Sequence, residues 1–286
     1  MQLQQIKYSI IGDDMQSVEI VLGSGESVMA EAGDLNYMDS AIAFETRMGD
    51  GSPVEEGMMA RLADAGRRMV AGEALFLTQF TNSGLGTRCI SFAAPYPGRV
   101  IAVNLSDFDG EILCQRDAFL CVTSDCLVEI AFTRRMEDGF FGNDGFILLR
   151  LSGIGTAFLH IGGTVVQKVL KHDVIRVDTG CIAAFTSGLN YSIERADNLK
   201  SMLSGGEGLL LASLSGTGTV LLQTMPFSRL AERALRHTAP AGGKRQIGGW
   251  RAMKDAFEKL LKGFKRSRAQ GVKETAKTQE TEGAKE

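Results

Sequence analysis

An all-β body made of three internal repeats is the fold this sequence predicts, and three observations predict it. One pentapeptide recurs, as Ser83-Gly84-Leu85-Gly86-Thr87, Ser152-Gly153-Ile154-Gly155-Thr156 and Ser215-Gly216-Thr217-Gly218-Thr219. Each copy lies between short apolar runs, for example residues 146–151 before the second copy and 157–161 after it. Runs of that length bounded by turn residues fit strands better than helices. A second pattern also recurs: Val28-Met29-Ala30-Glu31-Ala32-Gly33-Asp34-Leu35 is echoed by Leu113-Cys114-Gln115-Arg116-Asp117-Ala118-Phe119-Leu120 and by Ile175-Arg176-Val177-Asp178-Thr179-Gly180-Cys181-Ile182.

Glycine adopts positive φ without a Cβ clash, so the paired glycines predict a reversal between antiparallel strands, a hairpin. Each echoed pattern is followed by an alternating run that ends near an arginine, at Arg47, Arg134 and Arg195. The predicted unit is therefore a strand pair, a further strand and the glycine hairpin, with units at about 3–92, 98–161 and 164–225. One such unit presents too little apolar face to fold alone, so the three are expected to share one core in a single domain, residues 1–236.

Within that domain, turns are expected at Gly12-Asp13-Asp14 and Gly23-Ser24-Gly25. Ser52-Pro53-Val54-Glu55 reads as a helix start, with Ser52 as cap, Pro53 in the first turn and Glu55 completing a capping box. Val54, Met58, Leu62, Ala65 and Met69 then fall on one face of an inserted helix that packs over a sheet end. Residues 135–145 are a loop holding Phe140 and Phe141, and residues 225–233 form a short closing helix.

Beyond this the composition changes. Residues 237–249 are a linker by their Pro and Gly content, and 269–286 a disordered tail by their polarity. Between them, 250–268 reads as a basic amphipathic helix. Its apolar stripe is Trp250, Met253, Phe257, Leu260, Leu261 and Phe264; its basic residues include Arg251, Lys254, Lys259, Lys262, Lys265 and Arg266. Such a helix suits an anionic membrane surface or the groove of a protein partner.

Charge separates the two parts. Residues 1–243 carry a net of −9 and residues 244–286 a net of +6, within a total of −3. An acidic body disfavours nucleic acid, whose phosphates need clustered Lys and Arg. The start, Met1-Gln2-Leu3-Gln4-Gln5, lacks the basic and apolar segments of a signal peptide, and no run reaches the ~20 apolar residues of a membrane span. Five cysteines, an odd number without a secretion signal, predict reduced thiols in a cytoplasmic protein.

The residues that carry chemistry elsewhere do not form a reacting set here. The glycine pentapeptide lacks the Lys-Ser/Thr ending of a phosphate loop and the third glycine of a dinucleotide fingerprint. Cys114, Cys121 and Cys126 show no metal-ligand spacing and read as small buried hydrophobes. His160, beside Leu159 and Ile161, reads as a satisfied structural histidine, and His172-Asp173 as a polar turn. Asp107-Phe108-Asp109-Gly110-Glu111 lacks the twelve-residue calcium pattern and reads as a turn. The expectation is a protein with no catalytic residues, no metal and no cofactor.

With these units laid out, the chain resembles the family of uncharacterised bacterial proteins related to the altered-inheritance-of-mitochondria biogenesis protein. The residues that carry the resemblance are Ala71-Gly72-Glu73-Ala74-Leu75-Phe76, Gly98-Arg99-Val100, the Ser-Gly-X-Gly-Thr turns and Met225-Pro226-Phe227-Ser228-Arg229-Leu230, over roughly residues 3–235. The resemblance implies an all-β body like the ring-forming tryptophan RNA-binding attenuator fold, with its sandwich units around a pseudo-threefold, and a chain that assembles with itself as a trimer. Mitochondrial members are linked to inner-membrane organisation. The basic tail lies outside the resemblance.

The functional expectation is thus a non-enzymatic homo-oligomeric scaffold in the cytoplasm, peripheral at the inner membrane face through residues 250–268. The alternative is a small-ligand module whose clefts gather Tyr96, Phe140 and Phe141. RNA binding rests on the fold analogy alone.

Overall fold

The computed structural model describes residues 6–54, 75–94, 96–134, 146–195 and 210–231. By its internal contacts the chain divides into Met1–Leu230 and Ala231–Glu286, and the fold below belongs to the first unit. Pro53, expected in the first turn of the inserted helix, instead forms an antiparallel bridge with Arg47, and Met48 N–H donates to the Ser52 carbonyl, so the helix does not start there. The rest of the inserted helix past Val54, the loop with Phe140 and Phe141, the linker, the basic helix and the tail lie outside the described residues.

Alternating apolar residues and frequent glycines give strands nearly throughout. In chain order they are β1 (Lys7–Ile11), β2 (Ser17–Leu22), β3 (Ser27–Ala30), β4 (Leu35–Met38), β5 (Ile42–Met48), β6 (Phe76–Asn82) and β7 (Arg88–Ala93). Next come β8 (Gly98–Asn104), β9 (Glu111–Gln115), β10 (Phe119–Thr123), β11 (Cys126–Arg134), β12 (Phe146–Gly153) and β13 (Thr156–Gly162). The last four are β14 (Val165–Asp178), β15 (Ile182–Thr186), β16 (Asn190–Arg195) and β17 (Leu210–Gln223). Among the described residues α-helix is confined to 227–231, within the closing helix expected there.

Among the described residues three antiparallel sheets result. The first has the order β1-β2-β7-β4, the second β5-β6-β3-β10-β13-β8, and the third β11-β12-β9-β15-β17-β14 with β16 also on β17. The predominantly β, antiparallel fold read from the sequence is the one present.

The hairpin expected at the glycine pentapeptide is not. β6 belongs to the second sheet and β7 to the first; β12 belongs to the third and β13 to the second. The strands on either side of Ser83–Thr87 and Ser152–Thr156 therefore do not pair, and the glycines carry the chain around a corner from one layer to the next. Another corner runs alongside each. Gly25 N–H donates to the Asn82 carbonyl and Asn82 N–H to Glu26; Leu105 N–H donates to Gly155 and Gly153 N–H to Gly110.

At the third pentapeptide there is no break at all. β17 runs through it beside β14, turning at Gly216 with φ +123°, while β14 bulges at His172 with φ +55°. His172-Asp173, expected as a turn, is thus a bulge within a strand. The register shifts there between Lys171 and Asp173, the extra residue that lets both strands bend together.

The second echoed pattern also has a definite form. In each copy a strand runs into a 3-10 turn, at Ala32–Asp34, Arg116–Ala118 and Thr179–Cys181, and then into β4, β10 or β15. Each following strand slips by one residue, between Leu35 and Tyr37, Phe119 and Cys121, and Ile182 and Ala184.

Counting back from the turns shows the second copy beginning at Ile112, one residue before the Leu113 read from sequence. Two strand pairs then join distant parts of the chain. β3 meets β10 with Ala30 opposite Cys121 and Met29 opposite Val122, and β9 meets β15 with Cys114 opposite Ala184 and Leu113 opposite Phe185.

Among the described residues the apolar faces close into three cores rather than one. Val18, Ile20, Phe80, Ile90 and Phe92 centre the first. Leu77, Ile112, Leu149, Leu159 and Ala184 belong to the largest. Phe146, Leu170, Val177, Phe185, Leu214 and Val220 form the third. Full burial of Phe92, Phe146, Phe158 and Phe185 contributes about 1.5–3 kcal/mol per side chain.

Candidate functional site

The residues assigned from sequence to membrane or partner binding, Trp250 to Arg266, lie outside the described residues, as do Phe140 and Phe141. Tyr96 is described, and it is committed to packing. Its ring stands edge-on to His160 with centroids 4.5 Å apart and lies 5.3 Å from Phe227; its hydroxyl donates to the Asp117 carbonyl at 2.9 Å. Burial pushes its phenol well above the usual range, with Asp117 and Asp34 adding to the shift, so it remains a donor.

His160 differs from the satisfied histidine expected. It is 1% exposed and neither ring nitrogen has a well-formed hydrogen bond among the described residues. The cause is backbone crowding. A Cβ on Gly98 would lie 2.5 Å from Nε2, so the glycine backbone lies against the ring where a partner would otherwise sit. Desolvation lowers its pKa to about 4, against a smaller upward pull from the Tyr96 backbone, and the imidazole is neutral at pH 7.

Asp34 lies within electrostatic reach of Tyr96 and Cys121, and sequence reading missed it. Desolvation, then the charge of Glu31, raise its carboxyl from 3.8 to about 7. A signal was present. The positions matching Asp34 at the ends of the other two 3-10 turns are Ala118 and Cys181, so a carboxylate stands where small residues do elsewhere. Misaligning the second copy by one residue hid it.

Other buried polar groups serve the corners and junctions. Asn82 donates to the Leu22 and Gly86 carbonyls and accepts from Gly84 N–H. Gln223 donates to Gln115 Oε1 and the Gly180 carbonyl and accepts from Gly162 N–H, tying β17, β9 and β13 together. The cysteines are free thiols; Cys114, Cys121 and Cys126 are buried as expected, and burial raises all three pKa values. Among the described residues no three His, Cys, Asp or Glu side chains gather at metal-binding distance, and no helix is long and apolar enough to cross a membrane.

Among the described residues, strand edges leave hydrogen-bonding groups without a neighbouring strand. β4 ends the first sheet and β14 ends the third. Tyr37 on β4 is 45% exposed and Val174 on β14 is 59% exposed, whereas Val28 and Met29 on β3 and Val122 on β10, at a formed junction, are at most 3% exposed.

Comparison with known proteins agrees with this architecture. A Streptococcus pyogenes protein solved by X-ray crystallography superposes with a TM-score of 0.63 at 21% identity, over 82% of this chain and all of that one. An uncharacterised protein of S. pyogenes serotype M6 is 24% identical over 221 residues, 77% of this chain and 86% of the relative. The family model described as mitochondrial biogenesis AIM24 matches residues 8–225, from β1 to the end of β17, and the chain therefore belongs to the mitochondrial biogenesis AIM24 family.

Proposed function

We propose that this protein is a non-enzymatic scaffold. Its body is three copies of one β-sandwich unit joined in succession, it assembles with itself, and it presents residues 250–268 to an anionic surface. The observation that carries the reading is the way the sheets run on. The second sheet joins β3 to β10 and the third joins β9 to β15, each time by the strand before one 3-10 turn meeting the strand after the next. A body whose sheets continue from unit to unit is built to extend. Its buried polar groups support the reading, because Asn82 and Gln223 are spent on corners and junctions rather than aimed at a substrate.

In this reading the protein is cytoplasmic and peripheral at the inner membrane face. The body's net of −9 is repelled by anionic lipid, and the tail's +6 supplies the attraction. The test is flotation with vesicles containing anionic lipid, using the full chain and a chain ending at residue 243. The full chain is expected to float at low salt and the shortened one to stay in the pellet fraction. Equal, negligible flotation of both defeats the membrane assignment. Mass measurement in solution tests self-assembly separately, and a single-chain mass defeats that part. The small-ligand alternative loses support from Tyr96, whose ring and hydroxyl are both taken up by packing.

A further inference from the structure

We infer that β4 of one copy pairs with the second half of β14, Asp173 to Asp178, of another copy, and that this antiparallel junction is how the chain assembles. The inference rests on the scaffold reading and specifies its contact. Two junctions within the chain show what is missing. In each, the strand before a 3-10 turn pairs with the strand after the next turn in the chain: β3 with β10, and β9 with β15. That rule leaves two strands over. The second half of β14 precedes the last turn and has no later strand to meet; β4 follows the first turn and has no earlier one. Each therefore offers the edge that the other type of strand accepts.

The formed junctions also fix the register. Ala30 and Cys114 each lie two residues before their 3-10 turns, and Val177 lies two before Thr179. Cys121 and Ala184 each follow the one-residue slip, and so does Tyr37. Since Ala30 faces Cys121 and Cys114 faces Ala184, Tyr37 faces Val177, Met38 faces Arg176 and Asp39 faces Ile175. No like charges meet in this register.

Among the described residues no strand pairs with the outer edge of β4 or of β14. Tyr37 and Val174 are about half exposed, and each strand ends its sheet. The backbone of β14 is oriented for a partner as well. Val174 N–H donates to the carboxylate of Asp173, the arrangement of an N–H that faces away from β17, and by alternation Arg176 faces the same way. Just past β4, Asp39 N–H donates to the Cys89 carbonyl of β7, so Met38 N–H faces outward to meet it. β4 has none of the charges that guard other sheet ends, such as Lys7 on β1, Arg99 on β8 and Glu129 on β11. A contact between unlike edges is head-to-tail, and it closes into a ring or runs on as a chain according to the rotation it imposes.

Two measurements test this on the full chain, with Cys89 and Cys181 replaced by serine. The first mixes Met38→Cys protein with Arg176→Cys protein under mild oxidation. Disulfide-linked pairs of the two variants are expected, because facing residues of adjacent strands lie within bridging distance. If only a double variant crosslinks, and does so within one chain, the two edges close on each other and the inference is overturned. The second introduces Arg176→Pro, which removes an outward N–H and leaves the β17 ladder intact. Native mass spectrometry is expected to show the wild-type assembly reduced to single chains with unchanged far-ultraviolet dichroism. An assembly that survives Arg176→Pro, with no mixed crosslink, overturns the β4–β14 junction and leaves the scaffold reading standing. A wild-type protein that is a single chain overturns both.

Discussion

His160 is buried and Asp34 half-buried, each is shifted toward its neutral form, and the pH dependence of stability follows from that. The folded state keeps His160 neutral down to about pH 4, while the unfolded chain takes up a proton near 6.5. Stability from this residue is complete above 6.5 and is lost as pH falls toward 4, by about 3 kcal/mol in all. Asp34 runs the other way. Its folded carboxyl holds a proton up to about 7 against 3.8 unfolded, so its contribution is complete below 3.8 and is lost as pH rises toward 7.

Between pH 4 and 6.5 the two slopes oppose each other, and single variants separate them. His160→Phe, which keeps a ring beside Tyr96, is expected to be favoured over wild type by about 3 kcal/mol more at pH 4 than at pH 7.5 in urea titrations. Asp34→Asn is expected to compare better with wild type at pH 7.5 than at pH 4.5. A third residue-scale effect concerns Asn82. Its replacement by Ala strands the buried Leu22 carbonyl and removes the partner of the part-buried Gly86 carbonyl and Gly84 N–H, and thermal unfolding is expected to register a loss of about 2 kcal/mol.

At the scale of elements, the glycine corners were legible as turns but not as the kind of turn they are. A Gly-X-Gly between two apolar runs looks the same in sequence whether the flanking strands pair or part, because the alternation on either side is identical. What decides it is the neighbouring chain. A Cβ on Gly155 would stand 2.0 Å from the Thr123 hydroxyl, and one on Gly218 would stand 2.0 Å from that of Thr186. Those hydroxyls accept the N–H groups of Thr156 and Thr219. The second glycine of these two copies is thus required by a threonine that lies about 30 residues away in sequence, a relation that no local pattern displays.

Unequal costs follow along the chain. Gly153→Ala meets both φ +134° and the Asp125 carbonyl 2.2 Å away, whereas Gly25→Ala, at φ +82°, meets open space. The first is expected to cost roughly 3 kcal/mol and the second about 1, read as denaturation midpoints at constant slope. His172 was misread for the same reason. A bulge is defined by what its partner strand does, and Gly216 lies 44 residues on.

For the whole molecule, the sequence showed the fold class and the turn–strand echo because those depend on local spacing. It did not show three cores in place of one, because that depends on which strands share a sheet. β6 and β7 are consecutive in sequence yet lie in different layers, and β3 and β10 are far apart in sequence yet adjacent in space. The candidate site divides the same way. The acidic body and basic tail are plain in the charge count, while the open edges of β4 and β14 appear only once the other pairings are known. At this scale an assembly through the inferred β4–β14 junction is expected to resist salt, because such a junction would consist of backbone hydrogen bonds, whereas the proposed vesicle binding by the tail is expected to fall steeply between 50 mM and 500 mM salt. Running both assays across one salt series distinguishes the two surfaces.

Cys121 and Cys114 sit directly within the two junctions, opposite Ala30 and Ala184, while Cys89 and Cys181 are only half-buried. Nature has therefore placed a sulfur probe in each seam of the body. With Cys126 replaced by serine, an aromatic disulfide reagent should consume the two half-buried thiols at once and reach the seams only as fast as each one breathes, so the slow phases time the parting of the paired strands directly.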